Sequence, residues 1–228
     1  MNIEYFFYKD IIKMNRSFSH VDSNNIPLDI KLDYLFNNKE NGFFIELGAN
    51  DGLTQSNTAF FEFTRNWKGI LIEPSIVGYE SCIKNRPNSK VYNCCCVSNN
   101  YNENYIEGDF NGHPMSSVNG NRLYNNNLVK ANVKTLEQIL DENINKNDVI
   151  DFLSLDVEGY EFNVIEGLNI DKYRPKCMLI EIYNTDYDKI YNYLISKNYI
   201  LHSNFTTYNN QDNPNWDGTH NDYLFIAL

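Results

Sequence analysis

Short apolar runs alternate with amphipathic stretches along most of this chain, and that alternation limits the possible folds more than any other feature. "FFIEL" (43–47), "GILIEP" (69–74), "KVYNCCCV" (90–97), "VIDFLSLDV" (149–157) and "KCMLIEIY" (176–183) read as strands. Runs this short and this uniformly apolar suit strands buried on both faces. Between them, residues 53–67, 75–86, 160–168 and 186–198 carry helical spacing, with Ser75 placed to cap the second. A further helix at 28–36 puts Ile30, Leu32, Leu35 and Phe36 on one face. Strands separated by helices predict a mostly parallel sheet with helices on both sides. The last two apolar runs, 199–205 and 222–228, have no helix between them. They predict an antiparallel hairpin across a long 206–221 loop. Residues 98–148 interrupt the alternation with a polar, irregular stretch followed by "VKTLEQILDENI", a short strand and a helix.

The 228 residues suit one domain, with residues 1–40 as a helical leader and 98–132 as an insertion shaping an acceptor site. The formal net charge of −11 argues against a general nucleic-acid or anionic-membrane binder, because such a surface repels phosphate. Glu4, Lys9 and Asp10 interrupt the N-terminal apolar residues, so no signal peptide is expected there. No run reaches the length of a membrane span, and the expected location is cytoplasmic. The five cysteines show no metal-ligand spacing. Cys94, Cys95 and Cys96 read as small buried residues of a strand in a reducing compartment.

In an open parallel sheet, ligands lie beyond the C-terminal strand ends. The first strand ends in "ELGANDG", where Gly48 and Gly52 permit backbone shapes and close approaches that a Cβ would block. A helix expected after this turn would present its N-terminal amides to an anion. The second strand ends in Glu73 and Pro74, where a carboxylate can accept bonds from both hydroxyls of a ribose. That geometry serves NAD, a nucleoside cofactor or S-adenosylmethionine. The G-x-x-x-G spacing departs from the dinucleotide fingerprint and favours a methionine-bearing ligand over a pyrophosphate.

"FFIELGANDG", "GILIEP", "VKTLEQIL" and "FLSLDVEGYEFNVIEG" match, in order and spacing, the FkbM-type S-adenosylmethionine-dependent methyltransferases. The chain resembles that family over roughly residues 16–228, with "SNT" (56–58), "MSSV" (115–118) and "HNDYLFI" similar to one subgroup. It departs at His20, where Gln is usual, and at Cys94–Cys96, where Ala and other small residues are usual. The resemblance implies a class I methyltransferase fold, Rossmann-like, with a seven-stranded sheet and a reversed last strand. It also implies O-methylation of a sugar, glycan or other small hydroxylated acceptor. By position, Glu46, Gly48, Asn50, Asp51 and Gly52 would frame the methionine part of the cofactor. Ser56 and Asn57 would reach its carboxylate and Glu73 its ribose, while Cys96, Val97 and Ser98 would lie near the adenine.

Methyl transfer to a hydroxyl needs a positioned acceptor and a group that takes its proton. Asp156 and Glu158 at the end of the fourth strand, and Glu181 on its neighbour, are the candidates. One of them is a base whose pKa its neighbours raise, or the three hold a divalent cation such as Mg²⁺ or Mn²⁺. His113, beside "PMSSV", is the histidine best placed to overhang the acceptor. Asp222 would join the site only if the final hairpin tips inward. Tyr101, Tyr105, Phe110 and Tyr124 either stack on a sugar or pack the insertion onto the body. Two other classes remain: a silent binding module on the same fold, and a methyltransferase acting on an RNA cap, which the acidic balance opposes.

Overall fold

The computed structural model describes residues 17–145 and 148–228. Seven strands form one sheet: β1 (Phe43–Leu47), β2 (Lys68–Ile72), β3 (Ser89–Tyr92), β7 (Phe152–Leu155), β8 (Cys177–Tyr183), β9 (Tyr199–Asn204) and β10 (His220–Ala227). Their order is β3-β2-β1-β7-β8-β10-β9. The pairs β1–β2, β2–β3, β1–β7 and β7–β8 are parallel, whereas β10 runs antiparallel to both β8 and β9. This is the class I methyltransferase sheet, with the expected reversed last strand.

The central strands are mostly apolar because both faces are covered. Ile45, Leu47, Ile70, Leu153, Leu155, Met178 and Ile180 meet α4 (Leu136–Asn143), α5 (Glu161–Glu166) and α6 (Tyr187–Ser196). The alternate residues Phe44, Leu71, Phe152, Leu179 and Leu224 meet α1 (Leu28–Leu35), α2 (Ala59–Arg65) and α3 (Ile76–Asn85). A one-residue period thus sends neighbouring side chains into separate cores. A second sheet, β4-β6-β5, belongs to the insertion: β4 is Cys95–Cys96, β5 is Tyr105–Gly108 and β6 is Val129–Lys134. Among the described residues, no helix is long and apolar enough to cross a membrane.

Four boundaries differ from expectation. The helix expected at 53–67 begins only at Ala59, because Ser56, Asn57 and Thr58 bind the buried Glu46 carboxylate first. The strand expected at 90–97 divides, β3 staying in the main sheet while Cys95 and Cys96 pair with Val133 and Lys134. The strand expected at 149–157 ends at Leu155; Glu158 and Gly159 turn through left-handed backbone, with φ of 57° and 93°. In the leader, residues 1–16 lie outside the described residues. Residues 17–27 form turns and isolated bridges, Ser19 to Gln55 and Val21 to Pro27, and the helix is confined to α1.

Candidate active site

The turn after β1 is built around glycine. Gly48 has φ 78°, and a Cβ there would stand 1.7 Å from the carbonyl oxygen of Asp156. Only glycine lets the ends of β1 and β7 come this close. The Gly48 and Ala49 amides donate to the Ile72 carbonyl, tying the turn to the end of β2. Asn50 follows in left-handed backbone and donates its N–H to Glu73 Oε2 at 2.8 Å. Asp51 Oδ1 accepts the Leu53 and Thr54 amides, and Oδ2 the Thr54 hydroxyl. Burial alone would raise its pKa; these bonds outweigh it and hold the carboxyl below its ordinary value.

Glu46 is buried and fully engaged. It accepts the Ser56 hydroxyl, the Asn57 amide and the Thr58 hydroxyl, at 2.9, 3.0 and 2.6 Å. Arg86, whose side chain is 0% exposed, adds a 3.4 Å contact to Glu46 and a 2.7 Å ion pair with Glu62. The same guanidinium donates to the Gly52 carbonyl at 2.9 Å and to Thr58 Oγ1 at 2.9 Å. Arg86 therefore anchors both ends of the cofactor-side loop, although sequence reasoning gave it no role. A signal was present: Glu46 in an apolar strand and Glu62 in "AFFEF" are two carboxylates on buried faces, and they require a buried cation. Asn57 donates to Ser154 Oγ at 3.1 Å, while its Oδ1 is buried without a partner among the described residues.

Glu73 is also buried. Its two oxygens accept one amide each, from Asn50 and Ser75, both at 2.8 Å. Burial pushes its pKa up to about 7 against these bonds. It faces a chamber whose walls include Gly48, Pro74, Cys94, Cys95, Cys96 and Phe110. Val97 and Ser98, placed there from sequence, are absent from those walls. Val97 packs into the insertion core with Ile106 and Phe110, and the Ser98 carbonyl accepts the Tyr101 amide.

The chamber opens into a cleft of ≈ 1090 Å³ holding Glu46, Ser56, Asn57, Asp156, Glu158 and Glu181. One oxygen from each of Asp156, Glu158 and Glu181 lies within 4.8 Å of the others. They converge even though the strand stops short of Asp156, because Glu161 Oε1 accepts the Val157 and Gly159 amides and sets the intervening turn. Asp156 and Glu181 are neighbours in this cluster. Burial first, then repulsion from neighbouring carboxylates, raises both well above the ordinary range. Burial raises Glu158 as well, opposed by bonds from Tyr183 (2.7 Å) and Arg122 (3.2 Å). Glu181 Oε2 is buried without a partner among the described residues, and its Oε1 lies 3.2 Å from His220 Nε2. Asp222 sits opposite Glu181 in the β10–β8 register, so the hairpin does bring it to this cluster; burial raises its pKa to about 6.

His113 stands on the rim shared by chamber and cleft, and its Nδ1 accepts the Met115 amide at 3.1 Å. His20 lines the cleft from the leader, as does Gln55. Arg122, also missed from sequence, spans the mouth. It pairs with Glu158 and, at 2.7 Å, with Asp217 of the β9–β10 loop. Of the four insertion aromatics, Phe110 is buried, Tyr101 packs against it and donates to the Tyr105 carbonyl, and Tyr105 lies under Lys130. Tyr105 is 40% exposed, and Tyr124, at 91%, stands furthest out into solvent of the four.

The sequence model described as methyltransferase FkbM domain matches residues 46–201. No curated protein sequence matches the chain. Among solved structures, M. capricolum TrmK in complex with S-adenosyl-homocysteine is 11% identical, with a TM-score of 0.46 over 86% of this chain and 67% of that one. The TehB-like SAM-dependent methyltransferase of Corynebacterium glutamicum is 6% identical, with a TM-score of 0.47 over 88% and 87%.

Proposed function

The chain belongs to the FkbM methyltransferase family and depends on S-adenosylmethionine, and on that premise we propose that it methylates a hydroxyl oxygen of a sugar, a glycan or a sugar-containing metabolite. The observation that carries this reading is the convergence of Asp156, Glu158 and Glu181 beside the Gly48 turn. When bound, S-adenosylmethionine supplies a methyl group on a sulfonium, already an electrophile. The residues present fit it. Gly48 lines the chamber and lets the Asp156 backbone approach where a Cβ would collide with it. Each Glu73 oxygen holds one amide and retains a lone pair for a ribose hydroxyl. The unpartnered Asn57 Oδ1 suits an ammonium donor, whereas sequence position had suggested a carboxylate. Pro74, Cys94–Cys96 and Phe110 offer an apolar wall to an adenine ring.

The acceptor's proton is the task left to the chain. An alcohol is a weak acid, so a carboxylate with an ordinary pKa is a poor base for it. Asp156, raised by burial and by its neighbours' charge, takes up a proton more readily than a solvated aspartate. Glu158 is held by Arg122 and Tyr183, and Glu181 faces His220, which leaves Asp156 the best base of the three. His113, with Nδ1 accepting an amide, carries its proton on Nε2 when neutral and can donate to the acceptor. A second reading rests on the same 4.8 Å spacing: three carboxylates suit a hard cation such as Mg²⁺ or Mn²⁺.

Calorimetry with S-adenosylmethionine and its demethylated product, and turnover on hydroxylated acceptors, test the proposal. Glu73→Ala weakens cofactor binding. Asp156→Asn spares binding and lowers turnover by about 10²–10⁴-fold, the usual contribution of a general base. Equal loss of binding in both variants refutes this division. Undiminished turnover in chelator excludes the cation, and cofactor binding without transfer to any hydroxyl leaves a silent binding module.

A further inference from the structure

We propose that an outer cleft beyond Arg122 binds a second ring of the acceptor, so that the preferred substrate is a glycoside of at least two sugar units rather than a single sugar. This rests on the hydroxyl-transfer reading and adds where the rest of the acceptor lies. Arg122 and Glu158 line both the transfer cleft and a separate outer cleft of ≈ 950 Å³. The two compartments therefore adjoin at the Arg122–Glu158 pair, and an acceptor that passes over this pair reaches from the first into the second.

The outer cleft is suited to a neutral polyhydroxylated ring. Its cation is satisfied within the protein, since Arg122 pairs with Glu158 at 3.2 Å and with Asp217 at 2.7 Å, and the Asp186 carboxylate, which accepts the Thr185 hydroxyl, keeps lone pairs for a further hydroxyl. A charged occupant would compete with those pairs; a polyol does not. Asn119 and Asn121 bring amides that both donate and accept, which is what sugar hydroxyls require. Tyr124 stands at the edge 91% exposed, with no side-chain partner among the described residues. Its φ of 50° is a left-handed value that a bulky residue adopts only under constraint. An aromatic face held out to water beside paired amides is a platform for the C–H face of a sugar. On the cleft floor, a Cβ at Gly159 would find nothing within 4 Å, so there is room for a ring.

The test compares a panel of single-sugar methyl glycosides with disaccharide glycosides ending in the same rings, using wild type, Tyr124→Ala and Tyr124→Phe. Wild type should methylate the best disaccharide with kcat/KM at least about ten-fold above its matched monosaccharide, mainly through KM. Tyr124→Ala should erase that advantage, leaving monosaccharide turnover and cofactor affinity unchanged, and Tyr124→Phe should keep it. Equal kcat/KM for both lengths in wild type overturns the proposal, as does a Tyr124→Ala loss that is the same for both. No transfer to any member of the panel removes the hydroxyl reading itself, and this one with it.

Discussion

Replacing Glu73 by glutamine separates its electrostatic cost from its structural role. The carboxyl has a folded pKa of about 7 against an ordinary 4.5, and burial is the main cause. The folded state therefore holds the proton more tightly than the unfolded state. The sign follows: this group's contribution is fully present below about pH 4.5 and is lost as pH rises through about 7. At about 1.4 kcal/mol per pKa unit, ionised Glu73 costs the fold about 3 kcal/mol at pH 9. Glutamine removes that dependence but turns an NH₂ toward one of the two amides, from Asn50 or Ser75, that the carboxylate accepts. An unsatisfied buried donor costs about 1–3 kcal/mol at every pH. Urea unfolding of both proteins at pH 5, 7 and 9, without cofactor, should show Glu73→Gln the less stable at pH 5. By pH 9 the gap should close or reverse. Glu161, at about 7, and Asp222, at about 6, titrate in both proteins and cancel in the difference. A difference that stays constant across pH would refute the buried-charge argument.

Two further substitutions test the scaffold. Arg86→Met leaves Glu46 and Glu62 buried without their cation and should cost about 3–5 kcal/mol in urea unfolding, a large part of a domain's stability; a loss under about 1 kcal/mol would show the cluster to be solvated. Gly48→Ala puts a methyl 1.7 Å from the Asp156 carbonyl, so β1 and β7 must separate, and affinity for S-adenosyl-homocysteine should fall at least about ten-fold with an unchanged circular dichroism spectrum.

The sheet was readable in the sequence because two covered faces demand apolar residues at every strand position, a pattern visible in "FFIEL" and "CMLIEIY" without knowing the partners. The reversed last strand was readable for a related reason: two strands with no helix between them can pair only by turning back. Boundaries failed where a polar contact from elsewhere in the chain intervened. Residues 53–58 carry helical spacing, yet the Glu46 carboxylate takes the Ser56 and Thr58 hydroxyls and the Asn57 amide, and the helix starts afterwards. The run through Cys96 is apolar enough for one strand, but Cys94 packs into the main core and Cys95 into the insertion core. Nothing local distinguishes the two destinations.

The site divides along the same line. Residues that act through backbone shape or strand position, such as Gly48 and Glu73, could be placed from spacing alone. Residues that act as counter-charges could not, since Arg86 and Arg122 reach partners 24 to 95 positions away. Their absence from the sequence reading also skewed the roles given to the acids. Without Arg86, Glu46 looked free of other partners; with it, Glu46 lines the cleft while also holding the loop. Without Arg122, the three carboxylates looked equivalent. Arg122 and Tyr183 bind Glu158 and His220 faces Glu181, which is why the proposed base is Asp156. The distinction between three similar acids is thus set by their partners, and the partners come from the insertion, from β8 and from β10.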